Sequence, residues 1–164
     1  MRVTVIGHAT TLLQMDGVNI LTDPIWSDRA SPVSWAGPKR ARPAGVRFED
    51  LPHVHAVVIS HNHYDHLDMP TLERLELAFS PRFYVGLGNA ALLRRHGLKD
   101  VVELDWWDTA ALREEIGITA TPIQHYSGRG LFDRGHTLWA GFVVSGPSGV
   151  AYFAGDTGWG PQFE

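Results

Sequence analysis

The run VHAVVISHNHYDH, residues 54–66, sets an apolar, β-branched segment directly against three histidines and an aspartate. Val54 to Ser60 shows no polar alternation, so it suits a strand buried on both faces, and such strands require packed layers above and below them. A layered mixture of α and β structure follows. His61, Asn62, His63, Tyr64, Asp65 and His66 then fall at the C-terminal end of that strand, where open sheets gather ligands. Crowding three imidazoles and a carboxylate together without a cation would be costly in a partly buried place. His61 and His63 lie two apart, so in an extended segment they point the same way and offer one cation two imidazoles. Asp65 and His66 lie past them, where the chain turns toward a helix and can aim at a second point. An isolated histidine is more often a surface or hydrogen-bonded residue, and that reading applies to His8, His53, His55, His96 and His136.

Two more potential ligands end strand-like runs. His125 follows Ile118 to Gln124, and Asp156 follows Val150 to Ala154 within GDTG. Val3 to Ile6, Thr11 to Met15 and Val18 to Thr22 predict an opening meander with an Asp16-Gly17 turn. The prolines between Asp23 and Pro52 deny a helix and leave a long loop, the kind that is usually functional or mobile. Leu67 to Phe79 has helical spacing, with Leu72, Leu75, Leu77 and Phe79 as its apolar face and Pro70 in the first turn. Asn89 to Gly97 predicts a second helix, with Asn89 as cap and Gly97 as stop. Val101 to Leu104 reads as a strand, AALREEI (110–116) as a short helix, and Leu138 to Val144 with Val150 to Ala154 as a final hairpin.

Composition narrows the chemistry. The chain has no cysteine, so thiolate metal sites and disulfides are excluded and any metal must be held by imidazole and carboxylate. Its net charge of -4 argues against a nucleic-acid partner bound by phosphate neutralisation. The alternating N-terminus is unlike an export signal, and Ser145 to Gly149 breaks the uncharged stretch from Thr137 to Gly155, so the sequence predicts a cytoplasmic protein with one domain over residues 1–164. Lys39, Arg40 and Arg42 form a basic group in the long loop; the alternatives are a solvated stretch and a contact to phosphate or an anionic headgroup. Trp26, Trp35, Trp106 and Trp107 lie in or near loops, where they could meet acyl chains or a membrane surface, although packing is the expected fate of at least half of them.

HNHYDH resembles the HxHxDH signature of the metallo-β-lactamase superfamily. With LTDPIWSDRASP, GPKR, ELDWWD and FAGDTG, the sequence further resembles the N-acylphosphatidylethanolamine-hydrolysing phospholipase D branch, over nearly its whole length. The resemblance implies an αββα sandwich, of which this chain would hold the N-terminal half to two-thirds. It also implies two zinc ions, one bound by His61, His63 and His125, the other by Asp65 and His66, with Asp156 bridging. Asp65 is then the first candidate for general base, orienting the attacking water and taking its proton. Asp23 has two evenly matched readings: a partner that fixes the tautomer of a ligand imidazole, or a turn aspartate before proline.

The implied activity is zinc-dependent hydrolysis of a phospholipid-like phosphodiester. A lactonase acting on a sugar phosphate is the alternative reaction on the same metals. The family's last metal-binding histidine would lie beyond Glu164, leaving the second metal Asp65, His66, Asp156 and water. That shortage suggests a third reading, a non-catalytic half-domain needing a completing chain or a second copy. Expected partners are therefore a phospholipid or small phosphodiester, a peripheral membrane contact, and a homo-oligomer or completing chain, with no nucleic acid.

Overall fold

The computed structural model describes residues 1–160 and Phe163. Two sheets face each other. The first has six strands in sequence order: β1 (Arg2–Gly7), β2 (Thr10–Met15), β3 (Val18–Thr22), β4 (Ala56–Ile59), β5 (Arg82–Gly86) and β6 (Val101–Leu104). β1 to β3 are antiparallel, as the Asp16-Gly17 turn requires, whereas β3 to β6 pair in parallel. Parallel neighbours need crossovers. Helices α1 (Met69–Phe79) and α2 (Ala90–Arg95) carry the last two of them. The second sheet is antiparallel, in the order β10 (Gly149–Phe153), β9 (Gly141–Gly146), β8 (Ile116–Thr121), β7 (Thr109–Arg113).

The doubly buried strand behaves as its composition demands. Val57 and Ile59 of β4 join Leu72 and Leu75 of α1 in the core beneath the helices, while Ala56 and Val58 join Ile118, Phe142 and Val144 in the core between the sheets. Each such side chain contributes roughly 1.5–3 kcal/mol on burial. Helix layer, sheet and sheet are three layers of an αββα sandwich. The outer face of the second sheet shows Val150 and Tyr152 exposed, and no helix among the described residues covers it. No helix among the described residues is long and apolar enough to cross a membrane.

Three sequence expectations are corrected. Residues 110–116 are not a helix: β7 pairs with β8, and cross-strand contacts such as Thr109 Oγ1 to Thr119 Oγ1 at 2.7 Å override the helix-forming Ala, Leu, Arg and Glu of this run. Leu77 is 88% exposed, so the buried face of α1 is Met69, Thr71, Leu72, Leu75 and Glu76. The loop after β3 is not structureless either. Arg29 and Lys39 form an antiparallel bridge, and Asp68 at the start of α1 accepts from Trp26 N, Ser27 N and Ser27 Oγ, pinning the loop's beginning to the helix. Strand β5 was not foreseen; Phe83, Tyr84 and Val85 are all fully buried, but unlike the run before HNHYDH the segment RFYVG has a single β-branched residue to mark it.

Candidate metal centre

The ends of four strands from both sheets meet at one place. β3 delivers Asp23, β4 delivers the HNHYDH segment, β8 is followed by His125, and β10 by Asp156. A backbone bond joins the two sheets here, Ala140 N, just before β9, donating to Ser60 O at 2.8 Å, while within the first sheet Asp23 N donates to Val58 O at 3.0 Å.

Three imidazoles converge. His61 Nε2 lies 2.8 Å from His63 Nδ1, and His125 Nε2 lies 3.1 Å from the former and 3.2 Å from the latter. Nitrogens bound at 2.0–2.1 Å around a tetrahedral zinc stand roughly 3.3 Å apart, so the spacing is that of a ligand set. Lone pairs facing one point repel each other until a cation lies among them. The nitrogens are also available: His61 is pushed down to about 2 by burial and by the charges of His66, His63 and His125, and burial lowers His63 and His125 too.

The second group lies beside the first. His66 Nε2 is buried and makes no hydrogen bond among the described residues, with Asp156 Oδ2 at 3.3 Å and Asp65 Oδ2 at 3.7 Å. Asp156 Oδ2 is also 3.9 Å from His125 Nε2, so this carboxylate stands between the two groups. An orphaned buried nitrogen flanked by two carboxylates fits a cation. The structure thus brings together all six residues expected to hold metal: His61, His63, Asp65, His66, His125 and Asp156.

Asp23 orders both groups. Its Oδ1 accepts from Ser60 N at 2.7 Å, and its Oδ2 accepts from Ser60 Oγ and His66 Nδ1, each at 2.6 Å. Because Ser60 Oγ spends its proton on Asp23, it accepts from His61 Nδ1 at 2.9 Å. Both histidines are therefore protonated at Nδ1 and turn Nε2 toward the metal positions. Of the two readings of Asp23, this is the one that fixes a ligand tautomer. Burial raises the Asp23 carboxyl despite these bonds; burial works against the His66 cation, yet the bond and charge of Asp23 outweigh it and raise His66.

Supporting residues escaped the sequence analysis. Arg129 donates to Asn62 O at 2.9 Å and Leu67 O at 2.8 Å and lies over the Tyr64 ring, clamping the HNHYDH loop. Asn62 Oδ1 accepts from Gly128 N at 2.6 Å. Neither has a sequence signal beyond its place near a ligand. Gly155 has φ +56, and a Cβ there would stand 2.6 Å from Ser60 Cβ, so only glycine lets β10 bring Asp156 this close to β4. His8, read as a surface histidine, is instead beside the site, its Nε2 3.1 Å from Asp65 Oδ2. His55 and His96 fit the ordinary reading, with Nδ1 bonded to Asn19 N and facing Glu73.

A cavity of about 1020 Å³ opens beside the centre, with His63 and Asp65 on one wall and Lys39, Arg40 and Arg42 of the long loop on another. None of these three cations makes an ion pair among the described residues. Trp26 and Trp106 are packing residues whose indoles donate to Val46 O and Trp139 O, whereas Trp35 and Trp107 are exposed.

Residues 18–164 match the family model described as β-lactamase superfamily domain. An uncharacterized protein of Mycobacterium tuberculosis is 47% identical over 159 residues, covering 96% of this chain and 42% of its own. N-acyl-phosphatidylethanolamine-hydrolyzing phospholipase D 1 of Caenorhabditis elegans is 42% identical, over 94% of this chain and 46% of its own. The chain thus spans less than half the length of these curated relatives. Among solved structures, an isothiocyanate hydrolase from Delia radicum gut bacteria superposes with a TM-score of 0.74 at 26% identity, over 99% of this chain and 66% of the other.

Proposed function

The chain belongs to the β-lactamase superfamily, and from that premise we propose that it carries the metal-binding side of a zinc-dependent phosphodiesterase of phospholipase D type, acting on N-acylphosphatidylethanolamine-like lipids. The observation that carries this reading is the placement of Asp156 Oδ2, 3.3 Å from His66 Nε2 and 3.9 Å from His125 Nε2, between two groups of donors. Imidazole and carboxylate without thiolate suit zinc. A bound pair of such cations supplies Lewis acidity and lowers the pKa of water.

The chain's own residues supply the rest. Asp65, half exposed on the cavity wall, is placed to orient a water and accept its proton. Lys39, Arg40 and Arg42 offer positive charge to a phosphodiester or anionic headgroup, and apolar side chains such as Ile6 and Ile25 line the same cavity for acyl chains. The activity for which the worm relative is named supports the choice of lipid. Exposed Trp35, on the turn between Arg29 and Lys39, supports contact with a membrane surface.

The complete protein, loaded with zinc, is to be offered N-acylphosphatidylethanolamine, a soluble phosphodiester and a lactone. Release of phosphatidic acid is the expected result. Turnover of the lactone alone would replace this reading with lactonase chemistry on the same residues.

A further inference from the structure

We propose that Tyr64 and Arg129 form an oxyanion subsite on the cavity wall, donating to a phosphoryl oxygen of substrate or product; this rests on the phosphodiesterase reading above. Tyr64 falls between His63 and Asp65 in HNHYDH and belongs to neither donor group. His63 O accepts from His66 N at 3.1 Å and from Leu67 N at 2.8 Å, a tight turn from which half-buried Tyr64 reaches the cavity wall beside His63 and Asp65. Arg129, from the segment after His125, lines the same cavity and lies over the Tyr64 ring, with Cζ 3.9 Å from the centroid.

The pair has donors to spare. Arg129 Nη1 gives its protons to Asn62 O and Leu67 O, at 2.9 and 2.8 Å, which fixes the guanidinium without neutralising it. Among the described residues no carboxylate pairs with it, and burial works against its charge. A desolvated cation without a counter-ion is costly, and an anion in the cavity relieves that cost. The guanidinium is also the group that meets the Tyr64 hydroxyl; it can only donate, so the phenol proton is left for a ligand. A cation against the ring face draws electron density from the phenol and strengthens its O–H as a donor. Bonds from such donors to an ionised oxygen are about twice as strong as bonds between neutral groups, so the subsite favours a phosphoryl anion over a neutral ester. Lys39 and Arg42, on another wall, are exposed, whereas Arg129 is held in place before any ligand arrives.

The test is calorimetric titration of the complete, zinc-loaded protein with inorganic phosphate, comparing wild type with Tyr64→Phe, which removes one oxygen and keeps the ring beneath Arg129. The variant is expected to bind phosphate about tenfold or more weakly, the loss that follows from deleting a hydrogen bond to a charged group. Its zinc stoichiometry and its midpoint in urea unfolding should match wild type. Wild-type affinity in Tyr64→Phe would overturn the subsite, and so would a wild type that binds no phosphate. A fall in zinc uptake or in the unfolding midpoint of Tyr64→Phe would assign the hydroxyl to the fold and overturn it as well. Each of these results leaves the phosphodiesterase reading to its own measurement, the turnover of N-acylphosphatidylethanolamine.

Discussion

Asp23 Oδ2 and His66 Nδ1 lie 2.6 Å apart, and both side chains are sealed from solvent. Through Ser60 the same carboxylate also orients His61, so one buried acid fixes a histidine in each of the two candidate donor groups. Asp23→Ala would leave His66 Nδ1, Ser60 N and Ser60 Oγ without their acceptor. Breaking a buried pair by removing one partner costs about 3–5 kcal/mol. The expected results are a loss of that size in urea unfolding and a 10–100-fold weaker zinc uptake. A variant within about 1 kcal/mol of wild type would show that the network is dispensable.

His61→Ala and Asp156→Ala attack the centre from opposite sheets. In the complete protein each should abolish zinc-dependent hydrolysis, because His61 belongs to the imidazole triad and Asp156 spans both groups. Measured turnover of the phosphodiester above background in either variant would contradict the assigned roles.

Stability of the metal-free chain should depend on pH in a direction set by the imidazoles. His61 at about 2, with His63 and His125 also lowered, binds fewer protons folded than unfolded, where histidine titrates near about 6.5. Their contribution is complete above the unfolded value and is lost as the pH falls. His66 is raised and works the other way, its contribution lost as the pH rises through its folded value, and buried Asp23 titrates with it as a pair. With His55 also lowered by burial, the lowered imidazoles outnumber the raised one. Thermal unfolding in chelator should therefore show a Tm that drops steadily between pH 7 and pH 5, and a flat or rising Tm would reverse the assignment.

Helix α1 provides a test of packing that is independent of metal. Leu72→Ala empties a fully buried site and should cost about 2–5 kcal/mol, while Leu77→Ala, on the solvent side, should change stability by no more than about 0.5 kcal/mol. Equal losses in urea unfolding would mean that Leu77 is covered in solution.

What the sequence revealed follows from how local each signal was. Crowded imidazoles and a carboxylate at the end of a β-branched strand made the candidate metal centre legible, since residue type and spacing alone argued for it. AALREEI misled because its residues favour a helix and only pairing with β8 makes it a strand. His8 was invisible because no local pattern distinguishes a turn histidine that reaches Asp65 from one that meets only water. Arg129 and Asn62 clamp the ligand loop through backbone groups, which leave no mark on side-chain periodicity.

Gly155 touches no cation, yet it works as the spacer that decides how closely two plates can be bolted together. A methyl group there would act as a wedge against Ser60 and lift Asp156 off its seat with every ligand still present. Drift in a descendant gene could thus erase the chemistry while each donor residue survives in the alignment, so a catalogue of ligands alone would misjudge which descendants still function.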